Sequence, residues 1–250
     1  MSNLLLLPTY DFPFIYGNAN SGELTILGKS TPDSIFDILK PVEDWVSNYI
    51  SKNNKPLEIN FNLYFYNTPT TLMVSSILMM LNDADGKETR FKVNWYFSSD
   101  DEDLMEEGED FKSITQFPFK LIAENYSKDL SIAQTDISPL VYADCAGDFI
   151  IKGNSNHPKP LEFYRPIMKW LSNVPMCPTI KHIHLDIHLL SVSPSNLPYI
   201  KAIIYFMEAI HNQEISVRIK WNYSNSDVEK LGEEYLENLT LHYYFKQAVE

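Results

Sequence analysis

Gly22-Glu23-Leu24-Thr25-Ile26-Leu27-Gly28 is a short apolar alternation closed at both ends by glycine, and a helical pattern holding Pro41 and Trp45 follows it. These landmarks return 125 positions later as Gly147, Gly153, Pro166 and Trp170. One residue further out of phase, Lys92, Val93 and Trp95 return as Arg218, Ile219 and Trp221. Self-similarity on this scale means that the chain is two versions of one folding unit joined head to tail.

The patterns between the landmarks agree. In the first copy Ile35, Ile38, Leu39, Val42, Trp45 and Tyr49 fall at helical spacing after Asp33, a residue suited to capping a helix start. In the second, Leu161, Tyr164, Ile167, Met168 and Leu171 do the same. Leu57, Ile59, Phe61, Leu63 and Phe65 alternate with Glu58, Asn60, Asn62 and Tyr64, as Ile183, Leu185, Ile187 and Leu189 do with His184, Asp186 and His188. A period of two predicts strands with one apolar and one polar face. Phe91–Phe97 and Ser216–Tyr223 read as the next strands. The helix after each opens with a Ser-x-x-Glu box, Ser99 to Glu102 and Ser226 to Glu229. Each copy is thus predicted as β-β-α-β-α-β-α, with a further short strand at Phe117–Ile122 and at Tyr243–Lys246. The fold class is α/β: two tandem domains, each a mixed β-sheet with helices packed mainly on one face. The domains are placed at 1–125 and 137–250, with the aperiodic polar stretch 126–136 as linker.

The chain has 250 residues with a net charge of −13, which disfavours nucleic acid and anionic membranes as partners. The charge is uneven, with 10 Lys/Arg against 20 Asp/Glu in residues 1–130 and 10 against 13 in the rest. Cys145 and Cys177 form no disulfide framework, and the Leu4–Leu7 run, interrupted by Pro8, is too short for a signal peptide. No stretch approaches the roughly 20 apolar residues of a membrane span. A cytoplasmic location is expected.

The junction Tyr66-Asn67-Thr68-Pro69-Thr70-Thr71-Leu72 ends the first long strand. Leu72, Met73, Ile77, Met80 and Leu81 then recur as a helix stripe expected to be buried. Proline suits the first helical position, so Thr68 is predicted as the N-cap. A phosphate on its hydroxyl would meet free backbone N–H groups at the positive end of the helix dipole, and would add close to two negative charges without unfolding the helix. The plainer reading is that Thr68 is only a cap.

The pattern as a whole resembles the SiaC family of bacterial regulatory phosphoproteins, whose domain is similar to the STAS fold. The features that carry the resemblance are Gly22 to Ser30, Pro32 and the helix to Trp45, Asn67-Thr68, Val93-Asn94-Trp95, Gly108-Glu109-Asp110-Phe111 and Phe117-Pro118-Phe119. The resemblance implies a non-catalytic partner switch. A dedicated protein kinase phosphorylates the threonine after the asparagine, a PP2C-type phosphatase reverses this, and the unmodified protein activates a downstream effector, a diguanylate cyclase in the best understood systems. By position Thr68 is that acceptor, flanked by Asn67, Pro69 and Thr70. The second copy reads Ser191-Val192-Ser193-Pro194-Ser195, with Pro194 aligned to Thr68. Proline carries no hydroxyl. Ser193 or Ser195 could substitute, but the simpler reading is a degenerate site on a retained scaffold.

Other constellations carry less. His182, His184 and His188 with Asp186 share one strand face, but alternate side chains lie about 7 Å apart, so His182 and His188 cannot share one ion. No metal or other cofactor is expected. Cys145 or Cys177 with His157 or His182 would be the material of a hydrolase or metalloenzyme, yet neither cysteine sits in a nucleophile motif. Neither GxxxxGK[ST] nor GxGxxG occurs. The run Asp100–Asp103, continued by Glu106, Glu107, Glu109 and Asp110, is either a docking face for a basic partner or a solvated helix start. The remaining alternative is a constitutive binding or assembly module without phosphorylation.

Overall fold

A computed structural model describes the chain except for residues 33–35, 53–54, 85–89, 125–128, 178, 213–214 and 249–250. It divides into two compact units, Met1–Tyr126 and Ser127–Glu250. The first contains β1 (Leu4–Leu6), β2 (Phe14–Asn18), β3 (Glu23–Ser30), α1 (Phe36–Lys52), β4 (Leu57–Tyr66), α2 (Thr68–Ala84), β5 (Phe91–Ser98), α3 (Glu102–Ser113) and β6 (Phe119–Glu124). The second contains β7 (Leu130–Ile132), β8 (Leu140–Ala143), β9 (Asp148–Ser155), α4 (Pro160–Asn173), β10 (His182–Val192), α5 (Leu197–His211), β11 (Ser216–Tyr223), α6 (Ser226–Leu236) and β12 (His242–Gln247).

Each unit is a mixed six-stranded sheet, ordered β1-β2-β3-β4-β5-β6 in the first and β12-β11-β10-β9-β8-β7 in the second. The first two strand pairs of each unit are antiparallel and the remaining three parallel. In the first unit Leu57, Ile59, Phe61 and Leu63 of β4 join one apolar cluster with Val42 and Val46 of α1, Met73 and Ile77 of α2, and Leu104 and Phe111 of α3. One set of alternating side chains meets all three helices, so the helices share a face. On the other face Asn94 donates to Glu58 (2.6 Å) and Asn60 (2.8 Å), and Lys92 pairs with Glu58 (2.8 Å). In the second unit Lys220 and Asn222 both donate to Asp186 at 2.5 Å.

The two tryptophans found at a spacing of 126 lock the last helix of each unit. Trp95 Nε1 donates to the Leu104 carbonyl at 2.9 Å, and Trp221 Nε1 to that of Val228 at 3.0 Å. Gly108 and Gly232 let these helices press onto the indoles. A Cβ on either would fall 2.6 Å from a ring atom.

Several expectations are corrected. β1 and β7 are additional edge strands, built from the Leu4–Leu7 run and from residues assigned to the linker, because pairing with β2 and β8 satisfies backbone groups that three residues alone cannot. The sixth strand starts at Phe119 rather than Phe117. The caps of α3 and α6 are Asp101 and Asn225, whose side chains accept from Leu104 N and Val228 N at 3.0 Å, rather than Ser99 and Ser226. Position decides, since Asp101 and Asn225 stand three residues before the amides that they accept from. The proposed cap Asp33 and Ile35 lie outside the described residues.

Candidate functional site at the β4–α2 junction

Just before the junction, β4 carries one extra residue. Gly28 of β3 pairs with Leu63, but Lys29 pairs with Phe65, so Tyr64 is a bulge. β10 does the same at Leu190, opposite Gly153 and Asn154. The facing glycines, Gly28 and Gly153, have φ of 119° and 122°, a region that residues with a Cβ rarely adopt. A bulge bends a strand and re-aims the side chains beyond it. Here it leaves Phe65 59% exposed and turns Tyr66 inward, edge-on to Trp95 with ring centroids 6.1 Å apart.

The chain then enters the helix. Asn67 donates its backbone N–H to the Ser30 carbonyl (3.2 Å) and its side-chain amide to the Pro32 carbonyl (3.2 Å). Its own carbonyl accepts from Thr70 N (2.9 Å) and Thr71 N (3.2 Å). Asn67 is therefore the N-cap, Thr68 the first helical residue and Pro69 the second, one place later than predicted. Pro69 remains where a missing N–H costs nothing.

The threonines of this turn differ. Thr70 is 1% exposed and donates to the Ser30 carbonyl at 3.0 Å, with the Ser30 hydroxyl 2.8 Å away. Thr71 donates to Glu107 Oε1 on α3 at 3.3 Å. Thr68 is exposed, while Asn67 and Pro69 are half-buried. The Tyr66 phenol is held well above its usual range by burial and then by the neighbouring charge of Glu107.

The buried stripe of α2 is Thr70, Met73, Val74, Ile77, Leu78 and Leu81. Leu72, expected on that stripe, lies about 100° off it and is 64% exposed, with Met79 at 59%. Thr68, Leu72 and Met79 thus follow one solvent-facing line, which the expected stripe obscured by counting Leu72 as buried. Beyond the junction α3 supplies the acidic run, with Glu102, Asp103, Glu106, Glu109 and Asp110 exposed.

The second unit keeps the frame and changes the contents. Ser193 N donates to the Ser155 carbonyl at 3.0 Å, as Asn67 N does to Ser30, so Pro194 stands at the place of Thr68 and Ser195 at that of Pro69. Pro194 and Ser195 are exposed and Ser193 half-buried. The fully buried Asn196 accepts from Tyr199 N (3.1 Å) and Ile200 N (3.2 Å), so α5 starts three residues beyond the aligned position of Thr68.

The other candidates do not converge. His182 and His184 are exposed, and His188 is half-buried with its imidazole pKa pulled down, by burial first and by Lys152 next. No group of three or more His, Cys, Asp or Glu that could hold a metal ion occurs among the described residues. Cys145 is exposed in a turn, and the Cys177 thiol lies 3.1 Å from the Thr179 hydroxyl. No helix among the described residues is long and apolar enough to cross a membrane.

Comparison with known proteins finds the family model described as SiaC family regulatory phosphoprotein at residues 7–124 and again at 132–247. An uncharacterised protein of Pseudomonas aeruginosa strain UCBPP-PA14 is 28% identical over 125 residues, which are 50% of this chain and 99% of that protein. Apo-SiaC from Pseudomonas aeruginosa, 27% identical, superposes with a TM-score of 0.45 over 48% of this chain and 98% of its own. The SiaC chain solved in complex with the diguanylate cyclase SiaD, whose activator it is, gives 27% identity and a TM-score of 0.47 over 48% and 99%.

Proposed function

We propose, from the premise that the chain belongs to the SiaC family of regulatory phosphoproteins, that it is a protein switch set by phosphorylation of Thr68. It acts by binding, not by catalysis. A protein kinase adds the phosphate, a PP2C-type phosphatase removes it, and the unmodified form engages a downstream effector, a diguanylate cyclase. The switch works in the cytoplasm, in keeping with two cysteines that form no disulfide.

The observation that carries this reading is the division of labour among the threonines. Thr70 is buried and committed to Ser30, Thr71 is bonded to Glu107, and Thr68 is exposed in the first turn of α2. A phosphate there lies at the positive end of the α2 dipole, which tolerates its charge of about −1.5 to −2. It also stands at the head of the line through Leu72 and Met79. An apolar contact surface that gains a dianion at its edge loses affinity through desolvation of the phosphate.

The second unit is a divergent copy that supplies scaffold, since Pro194 cannot accept a phosphate. Incubation with the pathway's kinase and Mg-ATP, followed by intact mass and phosphopeptide mapping, tests the assignment. One phosphate on Thr68, absent in Thr68→Ala, is expected. Modification at Ser193 or Ser195 with Thr68 untouched overturns it.

A further inference from the structure

We infer that Glu107 is the positioning residue through which the charge on residue 68 reaches α3. The inference rests on the reading of Thr68 as the acceptor. Glu107 stands between the two helices: it accepts from the Thr71 hydroxyl of α2 at 3.3 Å, and it helps to hold the Tyr66 phenol above its usual range. The next residue, Gly108, is pressed on Trp95, whose indole holds the Leu104 carbonyl of the same helix at 2.9 Å. Glu107 thus stands next to the point where α3 is anchored on Trp95.

Residues 68 and 71 are i,i+3 neighbours, with Cβ atoms about 5–6 Å apart on a helix. With the Thr71 hydroxyl at hydrogen-bond distance from Glu107, a new negative charge at residue 68 falls within roughly one Debye length of that carboxylate, about 10 Å at 0.1 M salt. Like charges at this range repel. The carboxylate swings away and the Thr71 bond opens, so α3 loses one polar tie to the first turn of α2, while Asn82 keeps its bonds to Ile114 and Gln116 at the other end. The acidic face of α3 then shifts beside the Leu72–Met79 line, so one phosphate changes two adjoining parts of the surface.

The second unit supplies an internal control. The shared backbone bonds to Ser30 and Ser155 align Tyr66 with Val192 and Thr71 with Leu197. The shared tryptophan contacts align Gly108 with Gly232, and so Glu107 with Leu231. Where the acceptor has become Pro194, both bonded members of the latch, Thr71 and Glu107, have become aliphatic. Latch and acceptor are thus absent together from the second unit.

The test is hydrogen exchange of the α3 amides in the full chain, comparing Thr68→Glu with the neutral Thr68→Gln, each with and without Glu107→Gln. Glu107→Gln keeps size and hydrogen bonding but removes the charge. With Glu107 present, Thr68→Glu is expected to exchange at least about threefold faster in α3 than Thr68→Gln, and the difference vanishes in the Glu107→Gln background. Should Glu107→Gln fold poorly, the comparison at 1 M NaCl serves instead, because screening to about 3 Å abolishes the difference without touching Glu107. Equal exchange in the two Thr68 variants, or a difference that survives both neutralisation and salt, overturns the inference. No kinase is needed, so its failure is distinct from failure of Thr68 as acceptor, which phosphosite mapping alone reports.

Discussion

The backbone N–H of Asn67 donates to the carbonyl of Ser30 at 3.2 Å, tying the start of α2 to the end of β3. Around this bond the junction separates two duties, anchoring by Asn67 and Thr70 and display by Thr68. Substitutions at the two kinds of position should therefore have separable effects.

Thr70→Val should cost about 1–3 kcal/mol in urea unfolding, because it takes the Thr70 partner from the buried Ser30 hydroxyl and leaves the Ser30 carbonyl with Asn67 N–H as donor. Thr68→Ala, at an exposed site, should stay within about 0.5 kcal/mol of wild type while abolishing phosphate incorporation. Equal destabilisation by the two changes would contradict the division of labour.

Leu72→Ser and Met79→Ser should leave unfolding midpoints nearly unchanged, since both side chains are mostly in water. Each should weaken binding to the proposed effector about tenfold or more in titration calorimetry. Retained affinity in the double variant would place the docking surface elsewhere.

Gly108→Ala normally favours a helix interior by about 1 kcal/mol. Here the added Cβ meets Trp95 Cδ1 at 2.6 Å, and the net effect should be a loss of about 1–3 kcal/mol with altered tryptophan fluorescence. A stabilised variant would show that α3 is not seated on the indole.

Asn225→Ala should destabilise by about 1 kcal/mol through loss of the bond from Val228 N, while Ser226→Ala should be nearly neutral. Chemical denaturation of both variants decides which residue caps α6.

His188 has its pKa lowered on folding, by burial first, then by Lys152 and Lys220 against the opposing pull of Asp186. A histidine depressed in the folded state contributes stability that is present above its unfolded pKa, near 6.5, and is lost as pH falls through the folded value. Thermal unfolding of wild type should therefore decline below about pH 6.5, more steeply than that of His188→Asn. Parallel pH profiles would remove His188 as the cause.

The repeat, both long alternating strands and the helices after them were legible because each depends on short-range periodicity. Leu72 shows where that logic stops. It is apolar and neighbours the buried Met73, but a helix turns about 100° per residue, and one step is enough to bring a side chain from core to solvent. The edge strands were missed for a related reason. Leu4–Leu6 and Leu130–Ile132 are too short to signal themselves and exist through their partners β2 and β8.

By itself the sequence determined that two α/β units follow one another, that the first keeps Asn67-Thr68 and the second has Pro194 in its place, because repeats and substitutions are properties of the chain. Only the tertiary structure decided that Asn67 rather than Thr68 caps α2, that Thr70 is spent on Ser30, and that Glu107 reaches Thr71 across 36 residues. These depend on which side chains the bulge at Tyr64 and the packing of α3 on Trp95 bring together. Contacts between distant segments leave no period in the sequence from which to read them.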